Sequence, residues 1–291
     1  MKKYKLGFVL SGGGARGFAH LGILQYLAEN NIKPHIISAV SAGAIVGVFI
    51  ASGKTPLETH EILTRHGFLK YTKIHLPIDG LLHLDGLKEI FRKEIKQQNI
   101  EELELPFYVA ATNLNTGKTD YFNQGPIHEI IMASSSIPVL FSPVTYNNCQ
   151  YVDGGVLNNL PVEPLLGKCE KIVTQNINPV NETGKLKNLV QVAARSFHIG
   201  VHARIEIAKK HSDLYIEPKE LDKYDILKAK LADKVFEIGY KFAQTLDLSI
   251  LKKNNTMKLA LNELSKIQKV LLILVLIILF FIACELIFGL G

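Results

Sequence analysis

The stretch Ile36-Ile37-Ser38-Ala39-Val40-Ser41-Ala42-Gly43-Ala44-Ile45-Val46-Gly47 constrains the fold more than any other part of the chain. An apolar run of strand length leads to a serine among very small residues, then into a run rich in Ala and Gly. That is the layout of a nucleophile elbow, a sharp strand-to-helix turn that leaves the serine hydroxyl exposed at its strained tip. Strand and helix backbones pass close together at such a turn, so the positions two residues either side of the serine must be small. Ala39 and Gly43 meet that need. The usual pattern is Gly-x-Ser-x-Gly, and Ala39 adds one methyl to it. The turn must therefore open slightly, or Ala39 must sit where a Cβ fits.

The elbow is embedded in a βα order. Residues 5–10 read as a buried strand, and the segment Ser11-Gly12-Gly13-Gly14-Ala15-Arg16-Gly17 follows it. Residues 18–30 read as a helix, with Leu21, Leu24 and Leu27 at helical spacing. Helices are further expected at 56–67, 86–98 and 127–134, with strands at 106–112, 119–122, 150–152 and 172–175. A long helix over 186–210, a last strand at 214–217 and a last helix over 224–246 complete the pattern. Short connections between alternating strands and helices imply a mainly parallel sheet covered by helices, with active groups at the carboxyl ends of its strands. A chain of 291 residues can bury such a core.

The net charge of +6 is compatible with nucleic acid or an anionic membrane as partner. The lysines are scattered, and no dense basic run or aromatic RNA-binding signature occurs, so nucleic acid is set aside. Cys149, Cys169 and Cys284 are far apart and odd in number, which argues against a disulfide framework or a zinc site and fits a reducing compartment. The apolar run after Met1 is interrupted at once by the glycine segment, so it is not a signal peptide.

Gly12, Gly14 and Gly17 form Gly-x-Gly-x-x-Gly after a strand and before a helix, formally a dinucleotide fingerprint. The acidic residue that should end the second strand is missing; the elbow stands there instead, and a nucleotide cofactor is not expected. Consecutive glycines before a helix also turn N–H groups toward a shared point, which suits an anion. If Ser41 attacks an ester, the tetrahedral intermediate carries that anion, and each donor is worth roughly 3 kcal/mol to the transition state. Arg16 either adds a positive charge nearby or braces the loop. For a base, none of the ten histidines is well signalled. His20 follows the glycine loop; His198 and His202 stand at i, i+4 without a third metal ligand; His60-Glu61 lacks the second histidine of a zinc-protease motif. Asp153 ends a short strand, and Gly154-Gly155 lets the backbone turn tightly after it.

Three ordered motifs, Gly12-Gly13-Gly14-Ala15-Arg16-Gly17, Ala39-Val40-Ser41-Ala42-Gly43 and Asp153-Gly154-Gly155, resemble the patatin-like phospholipase family. The loop Ala133-Ser134-Ser135-Ser136-Ile137-Pro138 looks like that family's too, and the resemblance covers roughly residues 5 to 245. It implies a three-layer α/β/α fold and a Ser41–Asp153 dyad, with no catalytic histidine, no cofactor and no calcium in the chemical step. The apolar segment 137–141 is expected to line an acyl pocket. The expected activity is hydrolysis of fatty-acyl esters of membrane lipids. Acyl transfer to another lipid at the same site, and a silent membrane-bound lipid-binding protein, are the alternatives. The oligomeric state is not legible.

Residues 1–248 are expected to form the catalytic domain and 249–266 a polar linker. In 267–291, the run from Val270 to Cys284 carries no charged side chain, and extended through Leu290 it reaches the roughly 30 Å of a bilayer core. Lys266 and Lys269 precede it and no Lys or Arg follows. A C-terminal membrane anchor is therefore expected, or failing that an in-plane helix, with the catalytic domain on the cytoplasmic side.

Overall fold

The computed structural model describes residues 4–66, 85–138, 140–179, 204–224 and 231–252, together with residues 192, 195–196 and 199–200. The chain divides into one unit over Met1–Asp247 and a second over Leu248–Gly291. Of the second unit, only residues 248–252 are described, with a short helix at Ser249–Lys252. Expectations for His198 and His202, for most of 186–203 and for the segment 267–291 lie outside the described residues.

The first unit is an α/β fold on an eight-stranded, mostly parallel sheet. Its strands are β1 (Tyr4–Leu10), β2 (Ile36–Val40), β3 (Phe107–Asn113), β4 (Lys118–Phe122), β5 (Val144–Tyr146), β6 (Cys149–Asp153), β7 (Cys169–Gln175) and β8 (Leu214–Ile216). The order is β5-β6-β3-β2-β1-β7-β8, with β4 also paired to β3. β8, β7, β1, β2 and β3 run parallel, while β4, β5 and β6 run antiparallel to their neighbours. β1 and β2 are almost uninterrupted apolar runs because both of their faces are covered.

On one face lie α1 (Phe18–Glu29), α2 (Ala42–Ala51) and α5 (Ile127–Ser135), packed over Phe8, Leu10, Ile37 and Phe107. α3 (Pro56–His66) and α7 (Ala232–Gln244) pack along α1, and α4 (Asp85–Glu94) packs on α5. The other face buries Val9, Ile36 and Ile172 under Leu160, Val162 and Leu165 and under Ala208 of α6 (Ile205–Lys210).

The structure departs from the sequence expectation in places. Within the expected helix over 186–210, residues 192, 195–196 and 199–200 are helical, Arg204 is a turn residue, and α6 follows it. The strand expected at 150–152 is longer and is one arm of a hairpin with β5. Asn147 and Asn148 both take positive φ, 47° and 60°, which is the two-residue turn that joins twisted strands. The Asn-Asn pair is a readable hairpin signal, obscured by the two prolines just before it.

Candidate active site

Ser41 links β2 to α2 with φ 52° and ψ −125°, a backbone conformation that costs a non-glycine residue on the order of 1–3 kcal/mol. The surroundings hold it there. Its N–H donates to Ser134 Oγ at 2.9 Å, and Ser134 Oγ donates in turn to the carbonyl of Ala110 at 2.7 Å. Its own carbonyl accepts from Ala44 and Ile45, the first bonds of α2. Gly43 is required by contact: a Cβ there would stand 2.4 Å from the Leu10 carbonyl oxygen and 2.6 Å from that of Ser11. Ala39 lies inside β2, paired with Leu10 and Val109, and not in the turn. Its methyl faces α2 at Gly47, and a Cβ built on Gly47 would stand 3.5 Å from that methyl, an ordinary contact; the close approach at Gly47 is to the Phe107 ring, at 2.8 Å. The extra methyl therefore has room without opening the elbow.

Sheet register brings Asp153 to Ser41 across 112 residues. β4 occupies one edge of β3 along Val109–Asn113, so β2 and β6 must share the other edge. β2 ends with Val40 opposite Ala110, and β6 arrives antiparallel and ends with Asp153 opposite Ala111. The two strand ends meet on consecutive rungs. Gly154 permits the meeting, because a Cβ there would fall 2.3 Å from the Ala110 carbonyl oxygen.

The result is a hydrogen bond of 2.6 Å from Ser41 Oγ to Asp153 Oδ2. The other carboxylate oxygen accepts the N–H of Gly155 at 2.7 Å. Thr112 Oγ1 holds the Asp153 carbonyl at 3.0 Å. Both partners are buried, at 5% and 3% exposure. Burial pushes the Asp153 carboxyl up from 3.8 to about 6, against the opposing pull of the Ser41 hydroxyl and the Gly155 N–H. The pair is thus a hydroxyl already bonded to a carboxylate more basic than an exposed one.

The glycine loop lies directly against this pair. A Cβ built on Gly12 would stand 3.0 Å from Ser41 Cβ and 2.6 Å from Asn159 Oδ1. Asn159 Oδ1 accepts the Gly12 N–H at 3.1 Å and so joins the glycine loop to the turn after Asp153. Among the described residues, no hydrogen-bond acceptor takes the N–H of Gly13 or Gly14. Gly14 takes φ 56° and opens a 3-10 turn, Gly14–Gly17, that runs into α1. Gly17 packs against Ala42, the residue after Ser41, with 3.2 Å between an added Cβ and Ala42 Cβ.

The remaining sequence candidates take other places. Arg16 is buried, and its guanidinium donates to Asn178 Oδ1 at 2.9 Å, the Tyr224 carbonyl at 2.8 Å and the Asp222 carbonyl at 3.3 Å. These contacts brace the loop from behind. His20 is fully buried, with Nδ1 2.9 Å from Gln175 Oε1 and Nε2 2.9 Å from the Ser11 carbonyl. Burial pushes its pKa down to about 4, so at pH 7 it is a neutral tie between the ends of β1 and β7. In the segment 137–141, Phe141 is buried, Ile137 and Leu140 are half-buried, and residue 139 lies outside the described residues. Among the described residues, no cluster of His, Cys, Asp and Glu is arranged to hold a metal ion. Sequence reasoning missed Asn159 and the bridging role of Ser134. Asn159 sits four residues past the Gly155 turn in an Asn-Asn pair that carries no motif of its own.

The family model for the patatin-like phospholipase matches residues 8–166, more than half of the chain. The chain belongs to the patatin-like phospholipase family. It is 32% identical over 165 residues to an uncharacterized NTE family protein of Mycobacterium bovis, covering 56% of this chain and 46% of that relative. It is 25% identical over 302 residues to the lysophospholipase nte1 of Aspergillus fumigatus, covering 91% of this chain and 20% of that one. The chain thus spans less than half the length of either. Among solved structures, VipD from Legionella pneumophila is similar at a TM-score of 0.47 and 16% identity, over 86% of this chain and 67% of that one.

Proposed function

We propose that this patatin-like chain is a lipid acyl hydrolase in which Ser41 is the nucleophile and Asp153 the general base. The observation that carries the reading is the 2.6 Å hydrogen bond between two buried side chains, one of them a carboxylate with a raised pKa. Ser41 Oγ attacks the ester carbonyl carbon as its proton passes to Asp153 Oδ2. The oxyanion that forms faces the N–H groups of Gly13 and Gly14, within the loop that Gly12 and Gly17 seat and Arg16 braces. The tetrahedral intermediate collapses, and the leaving alkoxide takes the proton from Asp153. Water then attacks the acyl-enzyme, Asp153 receives its proton and returns it to Ser41 Oγ, and a fatty acid leaves. A base near pKa 6 is ionised at pH 7 yet accepts a proton more readily than an ordinary aspartate. A fatty-acyl ester is favoured as substrate by the family and by the name of the fungal relative, a lysophospholipase.

On this reading residues 1–248 are the catalytic domain and 249–266 a linker. The apolar segment 267–291 is a membrane anchor that leaves the catalytic domain on the cytoplasmic side, and the substrate is a membrane lipid.

The test is kinetic. Ser41→Ala and Asp153→Asn should each lower kcat at least 10³-fold in folded protein, and the double variant should be little worse than either, because the two act as one unit. In wild type, kcat/KM should fall on the acid side with an apparent pKa near 6 and stay level above it. Substantial activity in Asp153→Asn would remove Asp153 from the base position, and an acid limb near pH 4 would mean that burial does not raise its pKa. Product analysis on a mixed lipid extract completes the test: free fatty acid and lysolipid mean hydrolysis, and new esters mean transfer.

A further inference from the structure

Three consecutive peptide planes of the glycine loop are each clamped. In the Ser11–Gly12 plane, the Ser11 carbonyl lies 2.9 Å from His20 Nε2, and the Gly12 N–H donates to Asn159 Oδ1 at 3.1 Å. In the Gly12–Gly13 plane, the Gly12 carbonyl accepts the Ser11 hydroxyl at 3.0 Å. In the Gly13–Gly14 plane, the Gly13 carbonyl accepts the Arg16 N–H at 3.1 Å. A trans peptide holds its N–H antiparallel to its C=O, so each clamped carbonyl also fixes the direction of the N–H that follows it. Ser11, Arg16 and His20 belong to the loop's own stretch of chain. Asn159 comes from 147 residues away and seats the plane from which the next two continue.

Asn159 stands on a fixed post. The Asn158 N–H donates to the Gly154 carbonyl at 2.8 Å, and Asn158 Nδ2 donates to Tyr121 Oη at 2.9 Å and to Glu163 Oε2 at 2.7 Å. On its other side Leu160 is buried in the core of the second face. A Cβ built on Gly155 would stand 3.0 Å from Asn159 Oδ1 and 3.0 Å from Asp153 Oδ1, so the carboxamide and the carboxylate border the same small space. Resting on the Ser41–Asp153 reading above, we propose that Asn159 is a positioning residue for the reaction: it seats Gly12 so that the Gly13 and Gly14 N–H groups meet the oxyanion, in register with the turn that carries the base. The place calls for a neutral acceptor. A carboxylate would also take the Gly12 N–H, but it would set a second negative charge beside Asp153 and beside the developing oxyanion, and disfavour both.

The experiment uses the full chain and p-nitrophenyl butyrate, with folding checked by circular dichroism. Asn159→Ala should lower kcat on the order of 10²-fold, the loss expected when an oxyanion donor is misplaced, and change KM less than about threefold. Its acid limb should stay where the wild type has it. The groups that shift Asp153 in the wild type are its own burial, the Ser41 hydroxyl and the Gly155 N–H, with no charged neighbour among them. Asn159→Asp keeps the size and the acceptor, so it serves if Asn159→Ala fails to fold. The new carboxylate should move the acid limb up by about one pH unit or more and lower the plateau above it. A purely structural Asn159 would lower Tm in the alanine variant and leave kcat alone. A folded Asn159→Ala with kcat within about threefold of wild type, or with a raised KM alone, would overturn the proposal. So would Asn159→Asp with the wild-type limb and plateau. Failure of the Ser41–Asp153 reading is seen elsewhere: wild-type protein that does not react with a fluorophosphonate at Ser41, or Asp153→Asn with substantial activity, would bring down that reading and the role of Asn159 with it.

Discussion

Asp153 is held in a form that the fold disfavours. Its carboxyl is 3% exposed and is pushed up from 3.8 to about 6, chiefly by burial. The folded state therefore carries a penalty that is full when both states are ionised, above pH 6. As pH falls through 6 the folded protein takes up a proton and the penalty lifts; below 3.8 both states are neutral. A rise from 3.8 to about 6 corresponds to roughly 3 kcal/mol. Asp153→Asn should accordingly raise Tm at pH 8, with the gain shrinking by pH 4, in thermal unfolding followed by circular dichroism. A gain no larger at pH 8 than at pH 4 would mean that the carboxylate is not destabilising. His20 carries the opposite sign. With its pKa lowered to about 4, its contribution is complete above 6.5 and is lost as pH falls toward 4. The stability that Asp153 gains on acidification is therefore offset, in the same range, by the loss at His20.

At the level of elements, the site depends on β3. One edge of that strand receives β2 and β6 on consecutive rungs, so Asp153 and Ser41 are placed by backbone ladders and not by loops. α5 adds Ser134, which ties the elbow to the Ala110 carbonyl. α2 starts hard against the end of β1, with Gly43 facing the carbonyls of Leu10 and Ser11. Gly43→Ala puts a methyl 2.4 Å from a backbone oxygen that belongs to a central strand and has no freedom to move away. The cost should reach or exceed the upper end of the ~1–3 kcal/mol typical of overpacking. Urea unfolding checks this: a variant with an unchanged midpoint and a normal m-value would contradict the close approach of α2 to β1.

At the scale of the whole chain, the proposed function raises the question of what would bring the unit to a lipid. No helix among the described residues is long and apolar enough to cross a membrane. The candidate segment, 267–291, lies outside the described residues, and its reading rests on hydropathy and on the lysines that precede it. Full-length protein should stay in the membrane fraction through an alkaline carbonate wash, and a version ending at Ser265 should not. Release of the full-length protein by the wash would leave an in-plane helix, and recovery in the soluble fraction from the start would remove the membrane from the proposal.

The sequence alone determined what is local. A Gly-rich turn between strand and helix, a serine flanked by small residues, and an Asp-Gly-Gly after a short strand were all legible, because backbone geometry selects residue types within a few positions. The alternation of strands and helices followed for the same reason. The β5–β6 hairpin is hard to read because two prolines break the strand pattern ahead of its Asn147-Asn148 turn. The sequence leaves Arg16 between two uses, and its partners, some 160 to 210 residues later in the chain, make it a brace of the loop. Nothing in the composition of Ser41 or Asp153 states that their oxygens lie 2.6 Å apart. That distance is set by which strands share an edge of β3 and on which rung each one ends. Asn159 and Ser134 were invisible for the same reason: a single hydrogen bond between distant segments leaves no periodicity in either, and only the folded sheet brings the two ends within reach.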